Sequence, residues 1–90
     1  MSAPSTAQRI EAALRAAFAP SVLEIRDDSA QHAGHAGARE GGHYTVILVS
    51  ERFAGLSRVA RHRLVYDSLG PLMRAGIHAL AIEARTPDEC

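Results

Sequence analysis

Tyr44-Thr45-Val46-Ile47-Leu48-Val49 is the stretch on which the reading of the fold turns. β-Branched and aromatic residues dominate it, and residues 46–49 are apolar on both parities. Such a run predicts a central strand covered on both sides, or nearly so. Upstream, Val22 to Asp27 alternates, with Leu23 and Ile25 on one face and Glu24 and Arg26 on the other, as in a half-buried strand. Downstream, His78, Leu80, Ile82 and Ala84 alternate with Ala79, Ala81 and Glu83, which predicts a third strand. Between the first two strands, residues 28–42 hold four glycines and little periodicity. That composition predicts a long mobile loop.

Helices flank these strands. Residues 5–18 carry Ile10, Ala13, Leu14, Ala17 and Phe18 at helical spacing, with Ser5 and Gln8 placed as a capping box and Pro20 as the stop. Ser57 can cap a second helix, in which Val59, His62, Val65, Tyr66, Leu69, Leu72 and Met73 share one arc. Arg63, Asp67 and Arg74 lie opposite, Gly70-Pro71 predicts a kink or a short second segment, and Gly76 ends the stretch. Residues 86–90 read as a frayed acidic tail. The order is helix, strand, strand, helix, strand. The first two strands can pair antiparallel across the long loop, and a helical crossover makes the third parallel to the second. The prediction is one α+β domain over residues 1–90, with helices on one face of a mixed three-stranded sheet.

Composition narrows the function classes. The formal net charge is zero, which argues against a protein held on nucleic acid mainly by phosphate neutralisation. All ten basic residues are arginine, a side chain suited to bidentate anion contacts. Cys90 is the single cysteine and the last residue, so no internal disulfide forms and the thiol reads as a bystander. There is no apolar run of about 18 residues and no basic-then-apolar leader, so the expected compartment is the cytoplasm. No serine or cysteine sits in a nucleophile setting and no phosphate-cradling glycine loop joins strand to helix, so no enzyme is expected. Asp27 and Asp28 are no acid–base pair, because adjacent strand residues face opposite ways.

Five histidines stand out: His32 and His35 in the glycine-rich stretch, His43, His62 and His78. Neutral imidazole is a common metal ligand. His78 shares parity with Leu80 and Ile82, which fits a hydrogen-bonded core residue as well as a ligand. His32 and His35 fit solvated loop residues or ligands. A zinc site from His32, His35, His43 and His78 is conceivable but lacks a tight signature, and His43 reads as a strand opener. His62 lies amid an apolar arc and reads as packing.

Several stretches together resemble the BolA family, nearly end to end from Ile10 to Glu89. They are Leu23-Glu24-Ile25-Arg26-Asp27-Asp28-Ser29 with His32, His43-Tyr44-Thr45-Val46, and Val49-Ser50-Glu51-Arg52-Phe53-Ala54-Gly55. Arg61-His62-Arg63-Leu64-Val65-Tyr66 and His78-Ala79-Leu80-Ala81-Ile82 complete the series. Asp28 departs from the family's more frequent glutamate, and the tail after the last strand is short. The resemblance implies a class II KH-like fold. It implies a small adaptor, monomeric alone, that joins a monothiol glutaredoxin around a shared [2Fe–2S] cluster in iron and stress responses. His78 and His32, with His35 as the alternative, then stand as its metal ligands, and no cofactor is expected on the isolated chain. It also implies the alternative of a DNA-binding transcriptional regulator.

For that alternative, Arg58, Arg61 and Arg63 are the candidate nucleic-acid or partner contacts, although with Arg74 they form no single stripe. Gly34-His35-Ala36-Gly37 has the spacing of a KH backbone clamp, but it lies between strands where that clamp joins helices. No aromatic pair is placed to stack bases, so DNA contact is expected to be weak and salt-sensitive.

Overall fold

The computed structural model describes residues 4–28 and 42–89. The elements are α1 (Thr6–Phe18), β1 (Val22–Asp27), β2 (Gly42–Val49), a 3-10 turn (Glu51–Phe53), α2 (Arg58–Ser68), α3 (Gly70–Ala75), β3 (Ile77–Arg85) and a closing 3-10 turn (Pro87–Glu89). The sheet order is β1-β2-β3, with β1 antiparallel and β3 parallel to the central β2. The predicted class, order and pairing are all present.

Local chemistry accounts for the helix ends. Gln8 N–H donates to Ser5 Oγ at 3.1 Å and Ser5 N–H donates to Gln8 Oε1 at 2.7 Å, the capping box read from the sequence. Ala19 closes α1 in the left-handed region, with φ of 44°. Ser57 accepts from Ala60 N–H at the start of α2. At Gly70-Pro71 the chain restarts as α3, because proline supplies no N–H to continue α2 but suits a first helical turn.

The core lies between the helices and one face of the sheet. Ile10, Leu14 and Phe18 of α1 meet Tyr44, Val46 and Leu48 of β2, together with Phe53, Val65, Leu69 and Ile77. The Phe18 and Phe53 rings pack 4.9 Å apart. Ser50, buried beside them, donates its hydroxyl to Phe18 O at 2.7 Å, so its polar group is satisfied.

Three expectations need correction. Among the described residues β2 is covered more fully on its inner face than on its outer one, where Thr45 and Ile47 are half-buried. The arc read for α2 is rotated in the fold. Val65 and Leu69 are buried, whereas Val59 is 64% and Tyr66 40% exposed. The tail is not frayed. Thr86 is buried, its N–H donates to Glu89 Oε1 at 2.8 Å and its hydroxyl donates to Asp88 Oδ1 at 2.6 Å, so side chains of the closing turn hold the chain in place through Glu89.

Arg61 is the cause of the last two. Its guanidinium is drawn inward, donating to Leu56 O at 3.0 Å, to Ala84 O at 3.1 Å and to both oxygens of Glu89 at 2.5 and 3.0 Å. Its side chain is only 13% exposed. That fork sets the roll of α2 and pins the tail to the end of β3.

The Glu89 carboxyl is held at about 2, down from an ordinary 4.5, first by the Arg61 hydrogen bond and then by the Thr86 N–H. A depressed carboxylate stabilises the fold above its unfolded value and loses that contribution as pH falls through its folded value. Denaturant titrations should therefore show Glu89→Gln less stable than the parent chain near neutral pH. The gap between them should shrink as pH drops from 4.5 toward about 2. A gap that persists unchanged at the acid end would contradict the clamp.

Candidate functional site

The ends of three chain segments meet at one edge of the sheet. β1 runs out at Asp28, whose N–H donates to His43 O at 2.7 Å. β2 enters at Gly42, whose N–H donates to Gly76 O at 3.1 Å, immediately before β3 begins. Because β2 and β3 are parallel, their first residues lie side by side, and each strand carries a histidine in second place: His43 and His78.

The register slips between these residues. Gly42 pairs with Ile77 and His43 with Ala79, so β3 has one residue, His78, more than β2 at that step. This is a β-bulge, a device that re-aims side chains. Ile77 turns into the core, at 5% exposure, while His78 and Ala79 both lie exposed. The parity shared with Leu80 and Ile82 therefore does not bury His78. The core reading of that residue is set aside because the alternation breaks at the bulge.

The His43 and His78 rings lie 5.1 Å apart between centroids, tilted by 48°. Beside them an open hollow of about 300 Å³ is lined by Asp28, His43, Tyr44, Thr45, Ala79, Leu80 and Ala81. Thr45 Oγ1 donates to Asp28 Oδ2 at 2.6 Å, which fixes the carboxylate at the rim. Two alanines keep the floor low. The chemistry on offer is a pair of imidazoles, open on one side, above an uncharged strip of sheet.

The other predicted site residues fall elsewhere. His32, His35 and the Gly34–Gly37 motif lie outside the described residues. Arg58 and Arg63 are exposed on α2, whereas Arg61 is tied into the fold by the Glu89 fork. His62 is half-buried and lines a separate hollow with Arg58, Arg61 and Glu83. The sequence grouped His43 and His78 only within a conceivable four-histidine zinc site and read His43 as a strand opener; parallel neighbouring strands that each carry a histidine at their start bring the two rings together.

A profile of the BolA-like protein family matches residues 14–89. The chain belongs to that family. Mouse BolA-like protein 1 is 46% identical over 82 residues, covering 87% of this chain and 58% of its own length. The Escherichia coli DNA-binding transcriptional regulator BolA is 43% identical over 82 residues, covering 91% of this chain and 76% of that protein. Among solved structures, the BolA domain of SufE1 from Arabidopsis thaliana superposes with a TM-score of 0.85 at 44% identity, covering 99% of this chain and all of that one. The bacterial relative is thus named as a regulator, not as an enzyme. Among the described residues of this BolA-like chain, no helix is long and apolar enough to cross a membrane.

The bulge rests on a residue without a side chain. A Cβ on Gly42 would overlap the Tyr44 ring, which is buried in the core. Gly42→Ala should destabilise the domain by about 1–3 kcal/mol, as overpacking does, measured by urea unfolding. It should also shift the imidazole NMR signals of both His43 and His78. Unmoved imidazole signals in a destabilised variant would separate the bulge from the ring pair.

Proposed function

We propose that this chain is an adaptor that completes a [2Fe–2S] cluster together with a monothiol glutaredoxin, within a cytoplasmic response to iron and stress. The observation that carries the reading is the bulge-driven exposure of His78 at the sheet edge where β1 ends and β2 begins. His32 stands four residues beyond Asp28, so no more than about 14 Å of chain separates it from that edge. His35 is the alternative partner for His78.

The donor set fits. An imidazole open to solvent can be reached by a second protein, and the hollow beside it presents alanine and threonine, with no lysine or arginine among its lining residues. The sequence holds one cysteine, Cys90, so the remaining thiolates of a cluster are left to the partner. When bound, a [2Fe–2S] centre with histidine on one iron has a higher potential than an all-thiolate one. For this chain the work is to present His78, hold its backbone through the Gly42–Gly76 contact, and shed the ligand on protonation. Mixed with a cluster-loaded monothiol glutaredoxin, the parent chain should change the visible circular dichroism of the cluster. His78→Ala should abolish that change; a spectrum indifferent to His78→Ala overturns the assignment.

A second reading, a DNA-binding regulator, is supported by the name of the Escherichia coli relative and by the exposure of Arg58 and Arg63. Two arginine–phosphate contacts would give a shallow salt dependence, a log–log slope of about −2. In this reading the Arg58→Ala, Arg63→Ala double variant loses duplex binding across a salt series and flattens that slope. Binding that survives the double change would remove DNA contact from this helix.

A further inference from the structure

The ring pair supports a site that the cluster reading uses only in part, since that reading takes His78 and assigns nothing to His43. His43 and His78 are brought together by backbone alone: parallel strands that start at one edge, a bulge that turns His78 outward, and the Gly42–Gly76 hydrogen bond that fixes both starts. Their centroids lie 5.1 Å apart with the planes at 48°. Two imidazoles bound to one tetrahedral ion through nitrogens about 2.1 Å from it place their ring centres about 5 Å apart. The centroid spacing present in the fold is close to that of two ligands on a single ion.

We propose that His43 and His78 form a mononuclear binding site for a borderline divalent ion of the zinc class, which the isolated chain takes up without a partner. Imidazole nitrogen suits zinc, copper and nickel, whereas magnesium and calcium require oxygen donors. His78 is exposed and His43 half-buried, so the ion has an entry path and water can fill the remaining positions. The Asp28 carboxylate lines the same hollow as His43 and accepts from the Thr45 hydroxyl, so it adds negative charge near the ion while staying hydrogen-bonded. Among the described residues no third histidine, cysteine or carboxylate joins them as a ligand group. The site is thus a two-ligand one, weaker than a closed structural zinc site and exchangeable. The proposal stands apart from the glutaredoxin reading, because a mononuclear ion needs no thiolate from a second protein.

The test uses the full chain alone, titrated with zinc chloride by isothermal calorimetry, with imidazole signals followed by NMR. One zinc per chain should bind, and the His43 and His78 ring signals should move together. His43→Gln and His78→Gln should each weaken binding by at least about tenfold, the least that losing even an outer-shell partner costs a metal site. Far-UV circular dichroism checks that both variants keep the fold, since both residues lie at the surface of the sheet edge. A His32→Ala, His35→Ala double variant should bind zinc as the parent does. Three results overturn the proposal: no zinc uptake by the parent chain, undiminished uptake in His43→Gln, or uptake abolished in the His32, His35 double variant. The cluster reading survives any of these, because it is scored on His78 with the glutaredoxin present.

Discussion

Ile77 and Leu80 both face the core, and three residues apart in one strand they cannot do so without a break in alternation. The break is the bulge at His78, and the rest of the site follows from it. Burying a side chain the size of Ile77 stabilises the fold by roughly 1.5–3 kcal/mol, more than the ladder bond that a bulge disrupts, at about 1 kcal/mol net. The core therefore holds the bulge in place, and the bulge leaves His78 no direction but outward. From Ala79 to Arg85 the pairing with β2 then runs one to one, which sets His43 opposite Ala79 and brings the two rings together. A packing requirement on one face of the sheet thus fixes the arrangement of the two rings on the other.

The arginines divide by the same logic. Arg61 makes four hydrogen bonds to three segments, and its planar fork suits the Glu89 carboxylate in a way that a lysine ammonium could not. Removing it would leave two backbone carbonyls, those of Leu56 and Ala84, without that donor. The remaining pairs are of another kind. Glu11–Arg15 along α1, Glu24–Arg26 on β1 and Glu83–Arg85 on β3 are about half exposed at both ends, and such pairs contribute a few tenths of a kcal/mol.

The elements were legible where a local rule governs them. The capping box at Ser5, the alternation of β1, the apolar run of β2 and the break at Gly70-Pro71 each carry their own signal. The β1–β2–β3 order followed from connection lengths. What escaped depends on contacts distant in sequence. The roll of α2 is set by Arg61 reaching Glu89, 28 residues away, so a helical wheel read alone placed Val59 and Tyr66 on the wrong side. The closing turn was hidden because Thr86-Pro87-Asp88-Glu89 looks like an acidic tail in sequence, and the Thr86 and Arg61 contacts that order it exist only in the fold. At the site, His78 was legible as a residue and as a ligand candidate. Its outward direction was not, since a single extra residue in β3 is invisible to a period-two reading.

Two helices and a short third can cover only one face of a three-stranded sheet. The uncovered face must then be made tolerable in water, and β1 and β3 do this with same-face ion pairs, Glu24 with Arg26 at 3.1 Å and Glu83 with Arg85 at 3.6 Å. The histidine edge is made differently: Thr45, Ala79 and Ala81 lie beside the Asp28 carboxylate, which accepts from the Thr45 hydroxyl, and Arg26 stands across from Thr45. A protein approaching the far end of this face would have to strip water from paired ions, whose desolvation offsets most of what contact gains. One approaching the histidine edge meets small side chains, two imidazoles and a carboxylate already hydrogen-bonded within the chain. The small side chains there follow from the same alternation of β3 that the bulge has reset, which turns Ala79 and Ala81 outward.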